Sequence, residues 1–197
     1  MPLRVFGSPL YLSYRQVMVF IDGGYLRENL KKKWGNDEFS TGAFQQLIRE
    51  FVDSVSSGNI RGELIRTYYY DAIIDEKEKV EREKQQKFFD KLRRLPFCAL
   101  RLGRLVKTEK RGYKQKGVDI LMAVDMLTKA YENHYEIAVL VAGDGDFVGI
   151  VEAVKDAGKK VFGAYIKDHV DSKLLDCLDN YIIISDESLG KLARVSK

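Results

Sequence analysis

The chain has 197 residues, of which 45% are hydrophobic and 31% charged, and its formal net charge is +4. This length suits one domain, and the hydrophobic share is enough to bury a substantial core. A mild basic excess is compatible with a polyanionic partner without requiring one, and no apolar run approaches the roughly 20 residues of a membrane span.

Met1–Gln16 carries Pro2, Gly7 and Pro9 and reads as an irregular N-terminal arm preceding one domain over residues 17–197. Val17–Ile21 is a continuous apolar run of strand type. It ends at Asp22-Gly23-Gly24, after which Tyr25–Lys33 has helical character. Ser40 or Thr41 is placed to cap a helix over Ala43–Val55, with Phe44, Leu47, Ile48 and Phe51 on its apolar face. Gly62–Tyr70 is a second strand, followed directly by Asp71. Asp75–Leu95 reads as a long charged helix with a stripe of Val80, Lys84, Lys87, Phe88 and Leu92, ended by Pro96. Phe97–Val106 is a third strand containing Arg101 and Arg104, and Lys107–Lys116 a basic loop or hairpin. Val118–Tyr131 is a strongly apolar helix, for which Ile120, Val124, Leu127 and Tyr131 are the expected core face.

Ile137–Val141 is the fourth strand, and Phe147–Ala157 a helix stopped by Gly158. Lys160–Ile166 is the fifth strand, Ser172–Leu178 a short helix and Tyr181–Ile184 a last strand. A helix capped by Ser185 or Asp186 then runs to about Arg194. The two cysteines, Cys98 and Cys177, form no CxxC or Cys/His cluster, so zinc is not expected. They read as buried free thiols, which suits a reducing cytoplasm. No secretory leader is evident, so the expectation is a cytoplasmic chain with no membrane association.

Strands alternate with helices throughout, which predicts an α/β fold with a mostly parallel central sheet and helices on both faces. The acids fall on this frame in a pattern. Asp22 ends the first strand, Asp119 opens the helix after the basic segment, and Asp144 and Asp146 follow the fourth strand. With the first strand central, the first and fourth strands are neighbours at a topological switch point, where open α/β sheets bind ligands. Clustered carboxylates repel unless a cation neutralises them, and oxygen donors suit Mg²⁺ or Mn²⁺. The matching chemistry is metal-assisted hydrolysis, with a phosphodiester as the natural substrate. Taken alone, each acid has a plainer reading as a turn or helix cap.

Three segments then carry a resemblance: Phe20-Ile-Asp-Gly-Gly-Tyr-Leu26, Lys116-Gly-Val-Asp-Ile-Leu-Met-Ala-Val-Asp125 and Val141-Ala-Gly-Asp-Gly-Asp-Phe147. In order and placement they resemble the signatures of NYN domains, in the PIN-like nuclease superfamily, and most of all the LabA-like branch. The resemblance runs from about Val17 to Ser185. It implies a PIN-like three-layer α/β/α sandwich and a ribonuclease site using Mg or Mn, with RNA as partner and a homodimer as a further expectation. Asp22, Asp119, Asp144 and Asp146 match the family's acidic positions and are the expected catalytic and metal-holding residues. Asp125 matches a further acid, but it lies six residues beyond Asp119, about 240° round an ideal helix. With Gly23, Tyr25 and Gly143 it is expected to support the site rather than react. Tyr25, Ala142 and Gly145 stand where many relatives carry asparagine, serine or threonine, and serine respectively.

Lys107, Lys110, Arg111, Lys114 and Lys116 surround Tyr113 just before Asp119. Arg111, Tyr113, Lys114 and Lys116 are therefore candidates to hold an RNA backbone and stack on a base; a solvated hairpin is the plainer alternative. Two rivals to the ribonuclease remain. One is a weak or inactive NYN-like module that binds RNA or protein. The other, ranked last, is a haloacid-dehalogenase-like phosphatase, which expects a second Asp where Gly24 stands.

Overall fold

The run Val17–Ile21 becomes the buried centre of β1 (Ser13–Asp22), which begins four residues earlier than its apolar run suggests because Ser13–Gln16 continue the ladder with β2 (Ile60–Ile73). The computed structural model describes residues 12–35, 38–73, 79–108 and 112–193. Most of the expected arm (residues 1–11), the first residues of the expected 75–95 helix and the terminal Arg194 lie outside them. The remaining strands are β3 (Cys98–Thr108), β4 (Gly112–Lys116), β5 (Ile137–Val141), β6 (Lys160–Ile166) and β7 (Asn180–Ile184). They form one sheet in the order β4-β3-β2-β1-β5-β6-β7. Every pairing is parallel except β3 with β4. The mostly parallel sheet expected from the alternation of elements is therefore present, with an antiparallel strand at one edge.

Helices cover both faces, giving three layers. On one face α1 (Gly23–Trp34), α2 (Thr41–Ser54), α3 (Lys79–Arg93) and α7 (Asp186–Ala193) pack over Val17, Val19, Ile21, Tyr69 and Val139. On the other, α4 (Val118–Tyr131), α5 (Val148–Asp156) and α6 (Ser172–Cys177) pack over Met18, Phe20, Tyr68, Tyr70 and Leu140. The period-2 alternation of β1 divides its side chains between these two cores, as a strand buried on both faces must. Ser40 caps α2 through its hydroxyl, and Phe44, Leu47, Ile48 and Phe51 are buried as their spacing predicts.

Several expectations are corrected. The buried side of α4 is Val118, Met122, Met126 and Ala130, whereas Ile120, Val124 and Tyr131 face solvent. The helix is apolar nearly all round, so the sequence alone offers two stripes; residues two apart lie about 200° round a helix, and the sheet took the opposite one. In α3 the buried residues are Gln85, Phe88, Phe89 and Leu92, while Val80, Lys84 and Lys87 are exposed. Gln85 is drawn inward because its Nε2 donates to the Ala72 carbonyl at 3.1 Å. Asp71 is not past the second strand but inside it. A 3₁₀ turn, Gly145–Phe147, precedes α5. Both cysteines are free but only partly buried, and burial pushes the Cys98 thiol up to about 11. Among the described residues, no helix is long and apolar enough to cross a membrane.

Candidate active site

β1 and β5 lie side by side, Ile21 opposite Val141, and their chains leave the sheet in opposite directions along it. That is the switch point at which an open α/β sheet leaves a crevice. Asp22 ends β1 and caps α1, its carboxylate accepting from the Tyr25 amide at 3.1 Å. Asp144 follows β5 and caps the 3₁₀ turn, accepting from the Asp146 amide at 3.0 Å. Both caps satisfy amide groups that have no partner within their helices. A cap does not use all the acceptor capacity of a carboxylate.

A polar cavity of about 500 Å³ opens between these turns. One wall is α1, with Asp22, Tyr25, Glu28, Asn29 and Lys32; the other is Gly143, Asp144, Gly145, His169 and Asp171. Asp22 and Asp144 are thus brought to one cavity. Asp146, on the same turn, is exposed and does not line it. Asp119 does not line it either, but its charge acts on Asp22.

The register of the edge hairpin explains how Asp119 arrives. Tyr70 is opposite Asp22, Ile73 opposite Arg104, and Arg104 opposite Lys116. β3 therefore overshoots the carboxyl edge of the sheet, and antiparallel β4 returns the chain to that edge just before Gly117. Gly117, at φ 84°, turns the chain into α4, with Asp119 in its first turn. Tyr113, Lys114 and Lys116 belong to this overhanging hairpin, and Arg111 lies outside the described residues.

The acids have different electrostatic surroundings. Burial, reinforced by the charges of Asp119 and Asp71, pushes the Asp22 carboxyl up to about 7 despite the Tyr25 amide. Asp71 is itself buried, and burial raises its pKa. It is held by Arg27 at 2.9 Å, by the Ala72 amide at 2.8 Å and, at 3.4 Å, by the Tyr69 hydroxyl. Asp125 accepts from Tyr70, Arg101 and Lys129, at 2.9, 3.0 and 2.6 Å. Burial opposes its ionisation, but these donors outweigh it and hold the carboxyl below the usual range. Arg101 and Lys129 also lie over the Tyr68 ring, at 5.3 and 4.9 Å from its centroid.

Close packing accounts for the small residues. A Cβ on Gly23 would stand 2.5 Å from the Tyr69 ring. One on Gly143 would stand 2.3 Å from the His169 carbonyl and 2.5 Å from the Tyr25 ring. At Gly145 the nearest atoms would belong to the Asp171 carboxylate, from 2.9 Å. Tyr25 spans the crevice, its hydroxyl accepting from the Ile166 amide at 2.8 Å. The Asp171 amide donates to the Gly143 carbonyl at 2.9 Å, tying the two loops of the second wall together.

Sequence reasoning missed Glu28, Asn29, Lys32, His169 and Asp171 as cavity residues. Helical spacing could have found the first three, since positions 25, 28, 29 and 32 share one face of α1. His169 and Asp171 follow β6, the next strand beyond β5, and no local motif marks them. Among the described residues, no three His, Cys, Asp or Glu side chains gather closely enough to form a ready metal cage.

The protein of unknown function VPA0982 from Vibrio parahaemolyticus has a similar structure, with a TM-score of 0.64 at 20% identity, over 88% of this chain and 94% of that one. At that identity the likeness is one of fold. No curated protein matches the chain. The NYN domain family model matches residues 16–186, from β1 through all seven strands. The chain therefore belongs to the NYN domain family, whose members are generally nucleases.

Proposed function

We propose that the chain is a Mg²⁺- or Mn²⁺-dependent ribonuclease of the LabA-like branch, with Asp22, Asp119, Asp144 and Asp146 as the acids that hold the ion. The observation that carries this reading is the shared cavity of Asp22 and Asp144 at the switch point, with Asp119 near enough to raise the Asp22 pKa. NYN and PIN-like nucleases usually use divalent metals. The donor chemistry fits: carboxylate oxygens suit a hard cation, and the Asp22 carboxyl is one whose ionised form lacks a compensating charge. The fit rests on that chemistry rather than on a preformed cage. When bound, such an ion supplies polarisation of the phosphodiester and a more acidic attacking water.

The chain's own groups do the rest. Tyr25 and the glycine turns hold the two strand ends at a fixed separation, so Asp22 and Asp144 face one substrate position. Lys32 on the cavity wall offers a cation to a phosphate oxygen. The basic hairpin overhangs the same sheet edge and suits an RNA backbone. Water adds to phosphorus, the bond to one ester oxygen breaks, and that oxygen leaves with a proton. The reading includes a cytoplasmic setting, which the free thiols suit, and one domain over residues 17–197 behind the arm 1–16.

The second reading is a module that binds RNA without turning it over. Two observations favour it: the Tyr25 hydroxyl is committed to Ile166, and no ready cage stands among the described residues. One experiment separates the two. Purified protein is incubated with structured and single-stranded RNAs, with Mn²⁺, with EDTA, and as Asp144→Asn. Cleavage with Mn²⁺ that EDTA and the substitution abolish is expected. Cleavage that survives both would sink the metal mechanism, and binding without cleavage would establish the second reading.

A further inference from the structure

The side of α4 that the sheet did not take is apolar and, among the described residues, unpartnered. Ile120 is 68% exposed, Leu121 38%, Val124 56% and Tyr131 73%, with Leu127 half-buried between them. Ile120, Val124, Leu127 and Tyr131 are spaced by four, three and four residues, the seam spacing of two packed helices. Leu121, Ala123 and Thr128 flank that seam, none of them charged, and the fourth flanking position, Ala130, is buried in the core. Two of the three charges of the helix are turned aside, Asp125 and Lys129 binding each other and the Tyr68–Tyr70–Arg101 group, and the third, Asp119, lies in its first turn. Of the other exposed large apolar side chains among the described residues, Val80, Phe97 and Ile60 lie on separate elements, and only Tyr181 and Ile183, a pair on β7, share one; scattered exposure of this kind is ordinary for a protein surface.

The geometry points to this face of α4 as an interface with a second copy of the same chain. A seam of this spacing is covered by another helix with the same spacing and an uncharged border, and α4 itself is one. An isologous two-fold pairing of identical faces closes after two copies and leaves no seam exposed. Area supports that occupant. The four exposed side chains, counted on both copies, would remove on the order of 1,000 Å² from water, which is where specific interfaces begin. α4 is 14 residues long, about 21 Å, enough for the whole seam to engage at once. Antiparallel pairing opposes the helix dipoles, sets Val124 against the partner's Leu127, and lays the partner's Tyr131 over Ile120. Asp119 is the next residue, so the pairing brings a second copy to the rim of the acidic site. The proposal does not depend on the ribonuclease reading, because its readout is mass.

Sedimentation equilibrium of the full chain over a wide concentration range is the test. The wild type is expected to pass from monomer to dimer, and Val124→Glu, which buries a charge in the seam, to weaken the dimer about 100-fold or more. Because Val124 is largely solvent-exposed in one copy, that variant should keep the far-UV circular dichroism and melting temperature of the wild type measured as monomer. As a second arm, oxidised Val124→Cys/Leu127→Cys should run as a covalent dimer, with the wild type, which retains Cys98 and Cys177, as control. A wild type that stays monomeric at every concentration and a double-cysteine variant that does not cross-link would overturn the proposal. So would a dimer that Val124→Glu leaves intact, since another face would then make the contact.

Discussion

At the scale of single residues, Asp22 has the greatest consequence. Its carboxyl caps α1, yet burial and two neighbouring acids disfavour its charge and push it up to about 7. The proton therefore binds the folded chain more tightly than the unfolded one. Stability from this group is fully present below the ordinary carboxylate pKa of 3.8 and is lost as pH rises through about 7. Asp22→Asn keeps an oxygen for the Tyr25 amide and removes the charge. In EDTA, the variant is expected to be more stable than the wild type at pH 8, by an upper bound of about 4 kcal/mol. That advantage should shrink to nearly zero by pH 4, as thermal melts across the range will read. A pH-independent difference would show that the charge of Asp22 is not what destabilises the metal-free protein. The glycines act at the same scale: at 143 and 145 a side chain would meet backbone or carboxylate, so the polar residue many relatives carry at 145 is replaced by space that Asp171 fills.

At the scale of elements, α1 is the piece that must be held still, because it carries one wall of the cavity. Three contacts fix it to two strands: Gly23 on Tyr69 of β2, Arg27 on Asp71 of β2, and the Tyr25 hydroxyl on Ile166 of β6. The Arg27–Asp71 pair is the strongest lever, since Asp71 is almost wholly buried. Breaking a buried pair from one side leaves an uncompensated charge and costs about 3–5 kcal/mol, far more than an exposed pair such as Lys191–Glu187 contributes. Arg27→Met is expected to lower the melting temperature by roughly 10 °C for a domain of this size. Arg27→Met with Asp71→Leu should recover most of it. A single-variant loss below about 1 kcal/mol would mean that solvent or other groups already satisfy Asp71.

At the scale of the molecule, acids from three distant stretches of chain meet at one sheet edge. Repulsion between carboxylates is a cost borne by the folded state alone, so a cation that binds only that state relieves it and stabilises by mass action. Mn²⁺ at a hundred times its dissociation constant is expected to add about 2.7 kcal/mol, or roughly 5–10 °C in melting temperature. Asp144→Asn should lose most of this gain while folding normally, because Asp144 is exposed and an asparagine still caps the turn. An unchanged gain would remove Asp144 from the ion site.

The sequence by itself determined the alternation of strands and helices and the positions of Asp22, Asp119 and Asp144 relative to them, though it ended the second strand short of Asp71. These are local matters: hydrophobic period, caps and breakers act within a few residues, and they sufficed to set Asp22 and Asp144 at the carboxyl ends of neighbouring strands. Only the tertiary structure decided which side of α4 is buried, because that helix offers two apolar stripes and the choice depends on how the β3–β4 hairpin delivers its first turn. It likewise decided that Gln85 turns inward, that Asp71 is neutralised by Arg27, and that His169 and Asp171 join the wall of the cavity. Each of these depends on a neighbour far away in the chain, and the cost of burying a polar group or a charge is set by that neighbour rather than by the residues beside it.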